Sequence, residues 1–352
     1  MSLDNNYLNT ILNAPHLQYY FHDDKYVFKS CQKYWIVILE KLKDTITNEN
    51  RNDIIDKKTA KFRANKLKVC HIFNKFNIYS KLNRITNSYY NKNIVTYIVG
   101  EIVYPDIYDT NISAILSNGI HYYNSIIPAL HLELDTLFSY TGIIMSFHAN
   151  GRTHSSGNYI DGKKHGTWTE YFENGNIREK ISIQYGSYEG DCEYYWSNGN
   201  IESVGKYHDH KKNGLWTYYS HSGKKMSEGT FINNLKHGLW HYYYEHTESD
   251  VIQSCGHYED DKMISTWTYF WPNSITQSIG QYNKDLKTDT WSYYHSNGNK
   301  SSYGYYNNGN KDGQWTFWND DNTECLSVIY SNGSEVHSND LQHDIKVPLK
   351  IL

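Results

Sequence analysis

Aromatic residues recur at a fixed spacing along the C-terminal half of the chain. Successive tryptophans lie 48, 24, 27, 24 and 24 residues apart, and Cys192 stands where a tryptophan is missing from the first gap. A repeat period of about 20 to 50 residues indicates an array of similar structural units. The tryptophans that mark the period are Trp168, Trp216, Trp240, Trp267, Trp291 and Trp315.

Glycines keep the same register as the tryptophans. A glycine stands eleven residues before each tryptophan, and an aromatic residue stands nine before it. A second glycine usually stands two residues before the tryptophan, although Ser265 and Asp289 replace it in two units. The glycines eleven residues before a tryptophan are Gly157, Gly205, Gly229, Gly256, Gly280 and Gly304.

Each unit of the period predicts a β-hairpin. Trp216 and Tyr218 are two residues apart, as expected for side chains on one face of a strand. Asn-Gly follows, for example at Asn174 and Gly175, and predicts a type I′ turn with positive φ at both central residues. The second strand carries the Gly-x-aromatic sequence, and a looser polar turn leads into the next unit.

Stacked hairpins explain the aromatic composition of this half. One hairpin cannot bury its aromatic side chains alone, whereas neighbouring hairpins can share a continuous core. We therefore predict a mainly β fold. Its largest part is an elongated ribbon of stacked antiparallel hairpin repeats, with a 24-residue period and about eight units over residues 139–333. Residues 334–352 are predicted to form a tail or cap.

The N-terminal residues 1–138 are not repetitive and predict an α+β domain. Apolar residues at helical spacing predict a helix over residues 25–42, and residues 53–76 predict a second, basic helix or helix pair. Residues 94–103 predict a strand that ends in a turn at Pro105 and Asp106.

The repeat pattern resembles a known family. Gly-x-Trp-x-x-Tyr-x-x-Asn-Gly, followed by Gly-x-Tyr and a polar turn, is similar to the MORN repeat (membrane occupation and recognition nexus). It looks most like the variant found in bacterial toxin–antitoxin-type proteins and in giant DNA viruses. Residues 157–168 carry the pattern. The resemblance implies a role at membranes, as in proteins similar to junctophilins or plant phosphatidylinositol-phosphate kinases, or a role in organising protein assemblies.

A weaker resemblance covers the region before the repeats. Residues 97–106 and 118–123 resemble a small module of unknown function in mimivirus-type proteins, which precedes repeats there. This resemblance implies no activity. The many Tyr, Asn, Lys and Ile residues suit an AT-rich coding genome, which is compatible with a giant-virus source and, in that case, the host cytoplasm.

Composition narrows the function further. The formal net charge is −4, which argues against a general or specific nucleic-acid binder. The mean hydropathy is −0.74, and neither a signal peptide nor a spanning segment is predicted. We expect a cytoplasmic protein that is not secreted. The five cysteines are scattered and form no Cys-x-x-Cys pair, so reduced thiols are expected rather than disulfides or a zinc ribbon.

The sequence contains one candidate binding cluster and no recognisable catalytic or cofactor-binding motif. A basic stretch could contact phosphate on a nucleic acid or on an anionic lipid, although a solvated helix face in a lysine-rich protein is the more common explanation of such a stretch. His208 and His210 lie on one face but lack a third ligand nearby, so we predict no metal site. The basic cluster consists of Lys57, Lys58, Lys61, Arg63, Lys66 and Lys68.

The leading hypothesis from sequence is a non-catalytic repeat scaffold that binds an unidentified protein partner. One alternative is a peripheral membrane or phosphoinositide-binding protein, and another is an antitoxin-like inhibitor of a partner protein. We expect no enzyme activity and no cofactor. Open sheet ends also allow a homo-oligomer.

Overall fold

The fold is mainly β. The computed structural model describes residues 5–87, 94–247 and 249–336. Its strands belong to a seven-stranded sheet, a two-stranded sheet and an 18-stranded sheet of antiparallel hairpins. The chain divides into two compact units, Met1–Gly199 and Asn200–Leu352. The fold class predicted from the sequence is confirmed, and the predicted C-terminal tail lies, from residue 337 onward, outside the described residues.

The first unit begins with the small α+β region. Its helices are α1 (Asn5–Leu12), α2 (Pro15–Phe21) and α3 (Ile126–His131), with a 3-10 helix at Leu134–Thr136. The strands are β1 (Tyr26–Cys31), β2 (Trp35–Glu40), β3 (Lys61–Ala64), β4 (Leu67–Asn74), β5 (Asn77–Lys81), β6 (Arg84–Thr86), β7 (Thr96–Ile98), β8 (Ile102–Val103) and β9 (Ile120–Tyr123). The seven-stranded sheet has the order β3-β9-β1-β2-β4-β5, with β8 paired to β4, while β6 and β7 pair separately.

Both helices predicted for the N-terminal region are wrong. Residues 25–42 form the hairpin β1–β2, and residues 53–76 contain β3 and β4. Strand β2 is buried along its centre on both faces, so its sequence lacks the alternation that identifies a half-exposed strand. The turn between β1 and β2 places Gln32 and Lys33 at positive φ, although neither residue type signals a turn. The strand predicted over residues 94–103 is broken into β7 and β8.

The repeat strands follow in chain order. Those of the first unit are β10 (Gly142–Phe147), β11 (Thr153–Ile160), β12 (Lys163–Tyr171), β13 (Ile177–Gln184) and β14 (Ser187–Tyr195). Those of the second unit are β15 (Ile201–His208), β16 (Lys211–Lys212), β17 (Gly214–Tyr219), β18 (Lys225–Ile232), β19 (Leu235–Tyr243), β20 (Ile252–Glu259), β21 (Lys262–Phe270), β22 (Thr276–Asn283), β23 (Leu286–Tyr294), β24 (Lys300–Asn307), β25 (Asn310–Trp318), β26 (Glu324–Ser331) and β27 (Ser334–Glu335).

The core of each repeat is a tryptophan ring lying on a glycine. A Cβ added to Gly280 would lie 2.1 Å from the Trp291 ring, and the other five glycines of the pattern meet their own tryptophan in the same way. The indole Nε1 of Trp291 also donates to the carbonyl of Gln281 at 3.1 Å. The equivalent bond recurs in all six tryptophan units at 3.1–3.2 Å. Each tryptophan therefore requires a glycine eleven residues before it in the sequence.

A β-bulge accompanies this contact. The residue two before the tryptophan has positive φ in every unit, including Gly238 at +68°, Ser265 at +58° and Asp289 at +58°. The strand pairing shifts at this point, as between Gly229 and Thr230. Glycine is common here because the left-handed conformation costs other residues about 1–2 kcal/mol.

The two turn types are the reverse of the prediction. At Asn174-Gly175 only the glycine has positive φ, and Gly175 N–H donates to the Phe172 carbonyl at 2.9 Å in a four-residue turn. Phe172 N–H in turn donates to the Asn176 carbonyl at 2.8 Å. The Asn174 side chain instead accepts from the Asn176 N–H, as in an Asx turn. The polar turns described as looser are the tight ones: Asn233 and Asn234 both have positive φ in a two-residue turn.

Filling the space beneath a tryptophan ring should destabilise the repeats. Gly280→Ala places a methyl group inside contact distance of Trp291, so the free energy of unfolding should fall by about 1–3 kcal/mol, the usual range for overpacking. Urea unfolding followed by circular dichroism measures the change. Gln281→Ala, on the opposite face of the same strand, is the control and should change stability by less than about 0.5 kcal/mol. Equal effects from the two variants would contradict the packing explanation.

Restoring glycine at a bulge should stabilise the protein. Ser265→Gly removes the strain of a left-handed serine but adds unfolded-state entropy, so we expect a net gain of about 0.5–1 kcal/mol. Gly238→Ser is the reciprocal change at an equivalent bulge, where an added Cβ meets nothing within 4 Å. It should lower the unfolding free energy by a similar amount. The explanation by backbone strain is contradicted if both variants shift the urea midpoint in the same direction.

Candidate functional site

The sheet face opposite the tryptophans is the main candidate site. In the second unit, the two side chains that flank each tryptophan point away from the aromatic core. With their partners on the following strand they form ten cross-strand pairs, which we call the uncharged face. The exposed Lys206, next to Gly205 on the preceding strand, lies outside these pairs. The pairs are Leu215–Thr230, Thr217–Glu228, Leu239–His257, His241–Cys255, Thr266–Gln281, Thr268–Ile279, Thr290–Tyr305, Ser292–Tyr303, Gln314–Ile329 and Thr316–Ser327.

Charge is nearly absent from the uncharged face. Glu228 is the one Asp, Glu, Lys or Arg among these twenty residues, whereas such residues make up 20% of the whole chain. The Glu228 carboxylate is already engaged, because it accepts from the Tyr243 hydroxyl at 2.5 Å and pairs with Lys225 at 3.1 Å. Leu215 is 62% exposed and Leu239 is 45% exposed. This face therefore offers apolar and neutral polar groups to solvent.

The tryptophan face carries lysines that are held within the repeat. A lysine four residues before the tryptophan places its ammonium 4.1–4.6 Å from the indole ring in five units. Lys287 also donates to the Tyr293 hydroxyl at 2.9 Å, and burial lowers its pKa, with a further contribution from Lys311. These cation–π and hydrogen-bond contacts occupy the ammonium groups inside the aromatic core. The lysines concerned are Lys164, Lys212, Lys236, Lys287 and Lys311.

Tyrosine hydroxyls on the tryptophan face pair between strands. Tyr269 lies 3.2 Å from Tyr282, and Tyr293 lies 3.2 Å from Tyr306, measured between hydroxyl oxygens. Burial raises the pKa of Tyr269 and of Tyr293, and the hydrogen bond from the paired tyrosine raises each pKa further. The neutral phenol is thus strongly preferred inside the repeats.

The basic cluster predicted from sequence is dispersed by the fold. Lys57 and Lys58 are exposed, while Lys66 forms a 2.5 Å ion pair with Asp44. Lys61 is half-buried, and desolvation lowers its pKa. Lys68 is half-buried on strand β4, where its backbone pairs with β8. Arg63 is fully buried and donates to backbone carbonyls, so it does not share a surface with the two exposed lysines.

A cleft of about 330 Å³ with both polar and apolar walls lies within the first unit. Burial lowers the pKa of His131 to about 4, and its Nδ1 has no hydrogen-bond partner among the described residues. His154 Nδ1 lies 3.1 Å from Ser146 Oγ on the cleft wall. No described carboxylate hydrogen-bonds His154, so the Ser–His contact lacks the third group that orients a catalytic base.

Other chemical features have modest roles. Cys31 is buried, and burial raises its pKa to about 11, which keeps the thiol protonated. Within residues 5–87, 94–247 and 249–336, no group of three or more His, Cys, Asp or Glu side chains is arranged to hold a metal ion. The helices that the structure describes are too short and too polar to span a membrane.

The tyrosine pairs predict alkaline instability. In the unfolded chain tyrosine ionises near a pKa of about 10, whereas in the folded protein Tyr243, Tyr258, Tyr269 and Tyr293 have raised pKa values. The folded state therefore retains more protons above pH ~10, and stability falls as the pH rises through that value. Absorbance at 295 nm should show these tyrosines ionising only together with unfolding. A guanidinium-unfolded sample is the control, and identical titration curves would contradict the prediction.

Comparisons with known proteins agree with the repeat geometry. Three tandem segments, residues 164–185, 188–209 and 212–233, match the MORN repeat variant. The same tryptophan–glycine contact continues beyond them to Gly304 and Trp315. Residues 15–129 match a family of unknown function, DUF5758.

Comparisons of the whole chain with known proteins do not indicate its function. No curated protein matches this sequence. One solved structure, a mutant of S. aureus TarM in complex with Fondaparinux, alpha-GlcNAc-glycerol and UDP, is 10% identical. The match covers 28% of this chain and 19% of that chain with a TM-score of 0.21. The chain thus combines segments that match MORN repeats with an N-terminal region similar to a family of unknown function.

Proposed function

We propose that this protein is a repeat scaffold whose uncharged face binds another protein. The observation that carries the proposal is the near absence of charge from the ten cross-strand pairs of this face. The centres of protein–protein interfaces are depleted of charged residues, because an ionic group that loses water without a partner is costly. A neutral, regularly spaced sheet face avoids this cost.

The exposed side chains on the uncharged face have the chemistry of an interface. Leu215 and Leu239 supply apolar area, and Tyr303 and Tyr305 supply large rings with few rotatable bonds. The threonines around them donate and accept hydrogen bonds at the edges. A partner would meet this face with its own apolar and neutral polar residues. An antitoxin-like inhibitor would be one form of such a scaffold, with an enzyme or toxin as its partner.

Anionic lipid is the second candidate ligand. The exposed ammonium groups of Lys57 and Lys58 favour it, since juxtaposed lysines attract anionic headgroups. The repeats contribute less, because five of their lysines lie against indole rings. The uncharged face has few cations beside it to meet a phosphate: Lys206 is exposed, Lys225 pairs with Glu228, and Lys300 lies 5.7 Å from the Tyr303 ring. The geometry therefore favours a protein ligand over a membrane.

Charge introduced on the uncharged face should abolish partner binding. In affinity capture of the tagged full-length protein from its native cell lysate, Leu215→Glu/Leu239→Glu should lose the partner that the wild type retains, by at least about tenfold. Both leucines are exposed, so folding should be unaffected. Leu286→Glu, at an exposed turn-flanking position outside the ten pairs, is the matched control and should retain the partner.

The membrane alternative has its own measurement. Sedimentation with phosphatidylserine vesicles at low and high salt tests wild type against Lys57→Glu/Lys58→Glu. Salt-sensitive binding that the lysine variant loses, together with capture that is unchanged by the leucine variant, would overturn the scaffold proposal in favour of lipid binding. The scaffold proposal expects the leucine variant to fail in capture and the vesicles to bind weakly.

A further inference from the structure

The loop between β8 and β9 exposes apolar side chains that the fold does not cover. We call residues 104–118 the Arg63 loop, for the side chain that holds it. Leu116 is 80% exposed and Ile107 is 66% exposed, and Tyr104 and Ile112 are also exposed. Single exposed apolar residues are ordinary, whereas four large ones within fifteen residues mark a candidate binding surface.

The loop is fixed by one buried cation. The Arg63 guanidinium is fully buried and donates to the carbonyls of Asp109, Asn111, Ala114 and Asn118. The Asp109 N–H donates to the Asn118 carbonyl at 3.1 Å, which closes the base of the loop. A compact loop with paired ends and its own internal support is a common form of functional surface loop.

This arrangement orders the backbone without burying the side chains. Arg63 has no ion pair with any described carboxylate, so its charge is balanced mainly by carbonyl dipoles and by the Tyr108 ring, whose centroid lies 5.2 Å from the guanidinium carbon. Burial of a guanidinium in this way is costly, and the loop does not recover the cost by covering its apolar residues. Ile107 and Leu116 are instead presented to solvent on a rigid support, which lowers the entropic cost of binding a partner.

The charged residues within the loop and its flanking sequence are acidic, whereas the nearby cations Arg63, Lys29 and Lys61 lie on the sheet strands beneath it. Residues 94–120 contain Glu101, Asp106 and Asp109 and no Lys, Arg or His. Glu101 and Asp106 are exposed. The Asn111 N–H holds the pKa of Asp109 below its usual value, so that carboxylate is ionised as well. An acidic surface of this kind repels anionic membranes and nucleic acids and attracts basic protein segments.

A cleft beside the loop narrows the choice of ligand. It has a volume of about 460 Å³, and its walls include Pro105, Ile107 and Leu116, with Asp106 at the same site. His121 also lines the cleft, and burial lowers its pKa to about 4, so this imidazole is neutral. The rest of the lining is mostly polar and includes Ser117 and Asn118. The apolar side chains of Ile107 and Leu116 beside the Asp106 carboxylate suit a ligand side chain with an aliphatic stem and a cationic end.

We infer that the Arg63 loop is a docking site for a basic protein segment, which inserts a lysine or arginine between Ile107, Leu116 and Asp106 and packs apolar neighbours on the loop. The site uses residues of the N-terminal region and is independent of the uncharged face of the repeats. Either site can therefore fail in experiment without the other.

A peptide selection tests the chemistry without a known partner. Random 16-residue peptides are displayed and selected against the full-length protein, with the exposed-residue variant Ile107→Ser/Leu116→Ser used to remove binders that do not need the loop. The surviving peptides should carry Lys or Arg next to apolar residues. In fluorescence anisotropy, the affinity of the best peptide should fall at least about tenfold in Ile107→Ser/Leu116→Ser, and less in Asp106→Asn.

Controls separate this site from general stickiness. Ile55→Ser removes a similarly exposed isoleucine of the same unit and should leave peptide affinity unchanged. Raised salt should weaken the basic peptides. The inference is overturned if no loop-dependent peptide survives, or if the survivors lack basic residues. It is also overturned if Ile107→Ser/Leu116→Ser instead abolishes self-association in light scattering or binding to phosphatidylserine vesicles, because the loop would then serve a second copy or a membrane.

Discussion

The contact between a tryptophan ring and a glycine backbone determines the rest of the repeat architecture. The ring can lie flat on the neighbouring strand only where no Cβ intervenes, as at Gly280 beneath Trp291. Its indole N–H then bonds a carbonyl next to the bulge, where the ladder is interrupted. A strand otherwise weakened by glycine and by a bulge thus regains packing area and a hydrogen bond in each unit.

The aromatic core lies on one face of the repeat sheet, so the two faces of the sheet need different side chains. On the tryptophan face, Lys287 and the pair of Tyr293 and Tyr306 surround the ring, so polar groups complete the core. The opposite face has no packing role of this kind and could carry the usual mixture of surface charges. It carries almost none in the second unit, although a solvated sheet face normally gains solubility from charge. This composition is the one expected if the face binds a protein partner, as proposed above, since folding does not require it.

The sequence predicts the repeats well because their period repeats the same evidence many times. A single tryptophan would not reveal a repeat unit, whereas six tryptophans, each with a glycine eleven residues before it, reveal the period and its hairpins. The turn types were assigned wrongly because Asn-Gly is compatible with two hairpin geometries, and the bond from Asn176 to Asn174 that decides between them is not visible in sequence. The N-terminal region offers no repetition, and a strand such as β2, buried on both faces, has the same apolar content as a buried helix.

Arg63 shows why candidate sites are harder to predict than folds. In sequence it is one cation among several lysines, and its residue type suggests contact with phosphate. In the structure Arg63 is buried and cannot reach a phosphate in solvent. Its guanidinium donates to backbone carbonyls of this same chain and so supports the neighbouring acidic loop. The same residue therefore removes positive charge from the surface and orders Asp106 and Leu116 beside each other. Local charge patterns indicate binding only after burial decides which charges reach the solvent, and here the exposed surfaces are a neutral sheet face and an acidic, apolar loop.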